Sequence, residues 1–132
     1  MATGPAYNTK EDLEAAIERA LALDHPENSY ARVYFVREEG SGAIKIGTSV
    51  RVRDRFNMIK SDNPNEVVLL AQIHGGRRVE SILHTQFEYA RIRGEWFRPV
   101  DPLVTFVSEL PDTEQRDLDA LFAKRRATRI IT

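Results

Sequence analysis

The chain has 132 residues, 42% hydrophobic and 30% charged, which suits one globular domain with a modest core and excludes a disordered chain. It contains no cysteine, so disulfides and thiolate metal sites are excluded. The longest apolar run, Val67 to Ala71, is far too short to span a bilayer, and the net charge of −1 marks neither a strongly basic nor a strongly acidic protein.

In chain order, Met1 to Glu14 holds neither a basic segment nor an apolar run, so no secretory signal is expected and a cytosolic location is. Thr9 starts a helix over 9–23, with Asp12 three residues on as a capping-box partner. Leu13, Ala16, Ile17, Ala20 and Leu21 recur there at helical spacing, and Asp24, His25, Pro26 and Asn28 end it. Residues 31–37 and 43–48, β-branched and aromatic around a loop at Glu38 to Ser41, predict a hairpin. A turn centred between Glu39 and Gly40 sets Tyr34 opposite Lys45. Ser49 is expected to cap a second helix with Val52, Phe56 and Ile59 inward. After the break Ser61 to Asn65, the run Val67 to Ile73 is apolar on both faces, as a central strand would be. Gly75 and Gly76 lead into a third helix with Val79, Ile82, Leu83 and Phe87 inward. Gly94 closes it, and Glu95 to Pro99 follows as a short extended piece. Asp101 and Pro102 open another helix. A last one starts near Thr113, buries Leu118, Leu121 and Phe122, and frays into a basic tail. The order predicts an α+β fold, a three-stranded antiparallel sheet flanked by helices. Residues 1–132 form a single domain, with an N-terminal helix 9–23, a core over about 30–98 and a C-terminal helical segment 101–127.

The charge is unevenly spread. Residues 1–29 carry two basic and six acidic side chains, 30–98 twelve and eight, and 99–132 five and six. Phosphate binding follows local charge, because salt screens beyond about 8 Å, so the basic middle segment permits a nucleic-acid partner. Tyr34 and Lys45 put a phenol beside an amine on one hairpin face, and Gly47 leaves that face open to an approaching backbone. Arg51 and Arg55, four apart, share a helix face, as do Glu80 and His84, with Arg77 just upstream. A guanidinium can stabilise charge on a pentavalent phosphorus, and a carboxylate can hold a divalent metal. Singly, each residue has a plainer reading: Tyr34 as a half-buried strand aromatic, Lys45 as a snorkelling lysine, Arg51 and Arg55 as a solvated face. Glu80 with His84 would be a surface pair, and Trp96 and Phe97 core rather than a base-stacking platform.

Together these residues resemble a GIY-YIG nuclease domain, in the branch named after a fungal meiotically up-regulated gene and common in phages. Arg32-Val33-Tyr34 matches the first family tripeptide and Lys45-Ile46-Gly47 the second. Arg55 falls at the family's catalytic arginine, Glu80 at its metal-binding glutamate, and Gly94 to Phe97 at the closing signature of the branch. The match runs roughly from Tyr30 to Arg98. The resemblance implies a metal-dependent endonuclease that hydrolyses DNA phosphodiester bonds, in a phage or mobile-element setting. In it Tyr34 deprotonates or orients the attacking water with Lys45 beside it, Arg55 binds the scissile phosphate, Glu80 holds one Mg²⁺ or Mn²⁺, and His84 is a further catalytic residue. Arg32, Arg51, Arg53, Arg77 and Arg78 are expected to hold flanking phosphates, which position the strand without reading its sequence. Ile59 stands where many members carry a histidine, which keeps one rival in view, and the terminal helices offer a second. One is a nucleic-acid-binding module of the same fold with little turnover. The other is a regulatory module that binds a protein partner through its terminal helices.

Overall fold

The computed structural model describes residues 6–24 and 30–110. Its centre is a five-stranded antiparallel sheet in the order β3-β1-β2-β5-β4, built from β1 (Arg32–Glu38), β2 (Ile44–Ser49), β3 (Val67–His74), β4 (Arg91–Arg93) and β5 (Trp96–Phe97). The α+β architecture stands, and the expected three strands become five. The extra pair comes from the segment after α3 (Arg77–Gln86), which ends earlier than its glycine suggests. A 3-10 turn at Glu88–Ala90 leads into β4. Gly94, at φ +56, turns the chain back into β5 instead of closing the helix. The reason lies in burial: Ala90 and Phe97 are wholly enclosed, and each such side chain contributes roughly 1.5–3 kcal/mol when it is large and apolar.

Strand β1 is interior to the sheet, hydrogen-bonded on both sides. Val33 and Phe35 face one layer, Tyr34 and Val36 the other, and all four are buried. The strand expected to be central, β3, lies at the edge, with Val68 exposed. Its two-sided apolarity has another origin. A bulge between Phe35 and Val36 puts Ala71 opposite Phe35 but Leu69 opposite Val36, so the pleat of β3 reverses there. Val67 and Leu69 therefore pack beneath α2 (Val52–Asp62), whereas Ala71 and Ile73 join the opposite layer. That layer holds α1 (Lys10–Leu23), α3 and α4 (Leu103–Ser108) through Leu13, Ala20, Val79, Leu83, Leu103 and Val107.

The hairpin register also differs from expectation. Tyr34 pairs with Gly47, and Lys45 with Val36, because the connection runs on to Gly42 and Glu38 N–H donates to Ala43 O at 2.9 Å. A slip of two residues preserves every side chain's face, so Tyr34 and Lys45 still share a surface.

At the helix starts, Thr9 Oγ1 accepts from Asp12 N–H at 3.0 Å and caps α1. Gln86 then ties the preceding segment down, accepting from Tyr7 N–H at 2.7 Å and donating to Tyr7 O at 3.0 Å. For α2 the cap position is Arg51, not Ser49, whose hydroxyl accepts from Arg51 N–H at 2.9 Å. Pro102 takes the cap position of α4, and Asp101 Oδ1 accepts from Thr105 N–H at 2.9 Å. The helix expected from Thr113, and the stop at His25, Pro26 and Asn28, lie outside the described residues. Among those residues no helix is long and apolar enough to cross a membrane.

Candidate functional site

Strand β1 carries Tyr34 to the face covered by α2, directly opposite Gly47 of β2. A Cβ on Gly47 would lie 2.3 Å from Tyr34 Oη and 2.5 Å from its Cζ, so the ring occupies the space that any other residue would fill. That close approach is the role of this glycine. Burial, reinforced by the Glu95 carboxylate, pushes the Tyr34 phenol up to about 12, with Arg55 opposing and Glu80 adding to the rise. At neutral pH the phenol keeps its proton and acts as a hydrogen-bond donor or orienting group.

Tyr34 lines a cleft of about 630 Å³ between β1, β2, α2 and α3, together with Lys45, Arg55, Arg77, Glu80 and Glu95. Arg55 reaches in from the exposed flank of α2, since Val52 and Ile59 turn the other side inward. Arg77 and Glu80 come from the first turn of α3, whose Val79 and Leu83 face the core. Lys45 pairs with Glu95, Nζ to Oε1 at 3.1 Å, and its ammonium lies 5.5 Å from the centroid of Trp96, its cross-strand partner. The ionic partner of this lysine is thus Glu95, while the Tyr34 expected beside it lines the same cleft.

The carboxylates define the chemistry of the cleft. Burial pushes Glu80 up to about 7; repulsion from Glu95 and a hydrogen bond that protonated Glu80 donates to it add to the rise, against Arg77 and Lys45. Two carboxyl groups this close hold a proton between them unless a cation takes its place. Donor atoms of Glu80, His84 and Glu95 lie within 4.8 Å of one another. Two carboxylates and an imidazole fit a divalent ion such as Mg²⁺ or Mn²⁺, with the carboxylates serving either.

The structure therefore brings Tyr34, Lys45, Arg55, Arg77 and Glu80 to one cleft, with His84 beside the carboxylates. Four of the arginines expected to hold phosphates lie elsewhere. Arg32 is 3% exposed and donates from Nη1 to Ala31 O at 2.8 Å, so it does not present a guanidinium to an incoming strand. Arg51 and Arg53 are exposed at the start of α2 but outside the cleft lining, and Arg51, at φ −135, lies off the helical path that the expected shared face with Arg55 requires. Arg78 points to the end of α1, 3.7 Å from Asp24. Sequence reasoning missed Glu95, along with Asp62 and Thr48 in the same lining. A signal for Glu95 was present, since an acidic side chain sits between a turn glycine and an aromatic pair that β2 must pack against.

Comparison with known proteins corrects the family. No curated protein matches the chain. No solved structure matches it either. The family model of the T5orf172 domain matches residues 31–113, and the GIY-YIG family gives no match. The tripeptides that carried that resemblance include Val33 and Ile46, which are wholly buried core positions of the hairpin, and packing alone selects such residues. By a match that spans most of its length, the chain belongs to the T5orf172 domain family.

Proposed function

We propose that this protein is a divalent-metal-dependent endonuclease that hydrolyses DNA phosphodiester bonds. The observation that carries the reading is the convergence of Arg55, Tyr34 and Glu80 on one cleft, although they come from a helix, a strand and a second helix. Arg55 and Arg77 bind the non-bridging oxygens of the phosphate, and the Arg55 guanidinium gains most as charge builds in the transition state. Tyr34, protonated and held by Gly47, orients the attacking water by hydrogen bonding and does not serve as a phenolate base. Glu80 and Glu95 would hold the Mg²⁺ or Mn²⁺. The chemistry such an ion supplies when bound is Lewis-acid stabilisation of the leaving 3′-oxygen, giving 3′-hydroxyl and 5′-phosphate ends. A cytosolic setting, where DNA is accessible, belongs to the same reading.

The test is cleavage of supercoiled plasmid with Mg²⁺, Mn²⁺ or EDTA, comparing the wild type with Arg55→Ala. Arg55 lies on the exposed side of α2, so the variant keeps its fold and loses about 10²–10³ in rate. Cleavage within a few-fold of wild type removes Arg55 from the site. DNA binding with no metal-dependent cleavage by the wild-type chain identifies a binding module instead.

A further inference from the structure

The two-residue strand β5 ends its pairing with β2 early. Ile46 N–H donates to Glu95 O at 2.9 Å, yet Gly94 turns away, so Ile46 O meets no further strand. His84 fills that place from α3: its Nε2 lies 2.9 Å from Ile46 O. A carbonyl only accepts, so Nε2 carries the ring proton and Nδ1 is left as the lone-pair donor. The wholly buried Phe97 packs against the same imidazole, with centroids 5.2 Å apart. A ring anchored by a backbone carbonyl through one nitrogen is the arrangement that prepares the other nitrogen for a metal. Glu80 sits one turn before His84 on α3, and Glu95 is brought in by β5. Meanwhile the Lys45 ammonium rests on Glu95 at 3.1 Å, where a positive charge can substitute for an ion.

We infer that Glu80, His84 and Glu95 form a three-donor site that prefers a first-row transition ion such as Mn²⁺ to Mg²⁺, and that the ion displaces Lys45 from Glu95 on binding. The inference deepens the proposed function, which needs only a carboxylate-held metal; the imidazole adds the selectivity. Mg²⁺ takes oxygen donors, whereas an imidazole suits transition ions. No covalent step is involved, because Lys45 exchanges one ionic partner for solvent and the cleft.

The experiment measures Mn²⁺ binding to the metal-stripped full chain by electron paramagnetic resonance, with Mg²⁺ as competitor and no DNA present. A single class of Mn²⁺ site is expected, bound roughly tenfold or more tighter than Mg²⁺. His84→Gln keeps an N–H for Ile46 O but removes the Nδ1 lone pair; it should weaken Mn²⁺ by about tenfold or more and leave Mg²⁺ nearly unchanged. Glu95→Gln should weaken both ions, and Lys45→Met should tighten both by a few-fold. Unchanged Mn²⁺ affinity in a folded His84→Gln overturns the three-donor site. If that variant does not fold, unchanged affinity in Glu95→Gln overturns it equally. Unaltered or weaker binding in Lys45→Met overturns the displacement. Since DNA is absent, a protein that binds Mn²⁺ in this way but cleaves nothing defeats only the nuclease reading. Plasmid cleavage without the Mn²⁺ preference defeats only this inference.

Discussion

Gly47 and Tyr34 form a pair in which the smaller residue decides where the larger one sits. Gly47→Ala places a methyl group 2.3 Å from Tyr34 Oη, and the backbone of β2 cannot yield without breaking its ladder to β1. The ring must therefore rotate, at a cost of about 1–3 kcal/mol typical of overpacking. The expected outcome is a lower melting temperature together with loss of cleavage. A variant that melts and cleaves like wild type shows that the ring has room. Glu80 makes a second prediction at this scale. Its folded value of about 7, against an ordinary 4.5, means that the native chain holds a proton that the unfolded chain releases. The associated stability is fully present below about pH 4.5 and is lost as pH rises through about 7. In EDTA, Glu80→Gln should melt like wild type near pH 4.5 and above it once the pH passes 7. A melting difference that does not change with pH contradicts the raised carboxyl.

Among the elements, α1 is the one whose start was written most plainly, in Thr9 and the apolar stripe Leu13, Ala16 and Ala20. Thr9→Ala leaves the N–H of Asp12 to water and should destabilise the domain by about 1 kcal/mol. Metal affinity should not change, because the cap is remote from the cleft. A thermal melt paired with the Mn²⁺ titration checks both halves of that statement. In β3 the sequence pattern misleads for an instructive reason. The run Val67 to Ile73 reads as a regular strand apolar on both faces, but the bulge opposite Phe35 and Val36 sends Val67 and Leu69 to one layer and Ala71 and Ile73 to the other. A bulge depends on the partner strand, and no property of residues 67–74 alone announces it.

Across the whole molecule, the near-zero net charge says little about the cleft, where Lys45, Arg55 and Arg77 meet Glu80, Glu95 and Asp62. If the cleft binds DNA, affinity falls linearly in logarithmic salt, with a slope of about 0.9 for each phosphate contacted. Arg77→Ala should reduce that slope by about one contact, whereas Arg78→Ala, whose guanidinium faces Asp24, should leave it almost unchanged. Fluorescence anisotropy of labelled duplex between low and physiological salt measures both, and equal slopes for the two variants remove Arg77 from the interface. The exposed pair Lys10–Glu109 at 3.4 Å is worth under about 1 kcal/mol, so salt should affect DNA binding far more than folding.

The sequence by itself determined the local features: the α1 helix, a hairpin with Tyr34 and Lys45 on one face, and the i,i+4 step that stacks Glu80 over His84. These follow from side-chain periodicity within a single element, which the order of residues carries directly. Only the tertiary structure decided that β3 is an edge strand paired to an interior β1, that Tyr34 lies over Gly47, that Arg32 is enclosed, and that Glu95 meets Glu80. A register slip of two residues changes no face, so alternation cannot reveal it, and the partner of a buried charge is set by packing across elements distant in the chain. Glu95 and Glu80 are brought together because the burial of Phe97 against Ile44 docks β5 beside β2 and the burial of Leu83 docks α3 on the same sheet, and neither of those contacts is visible from the carboxylates themselves.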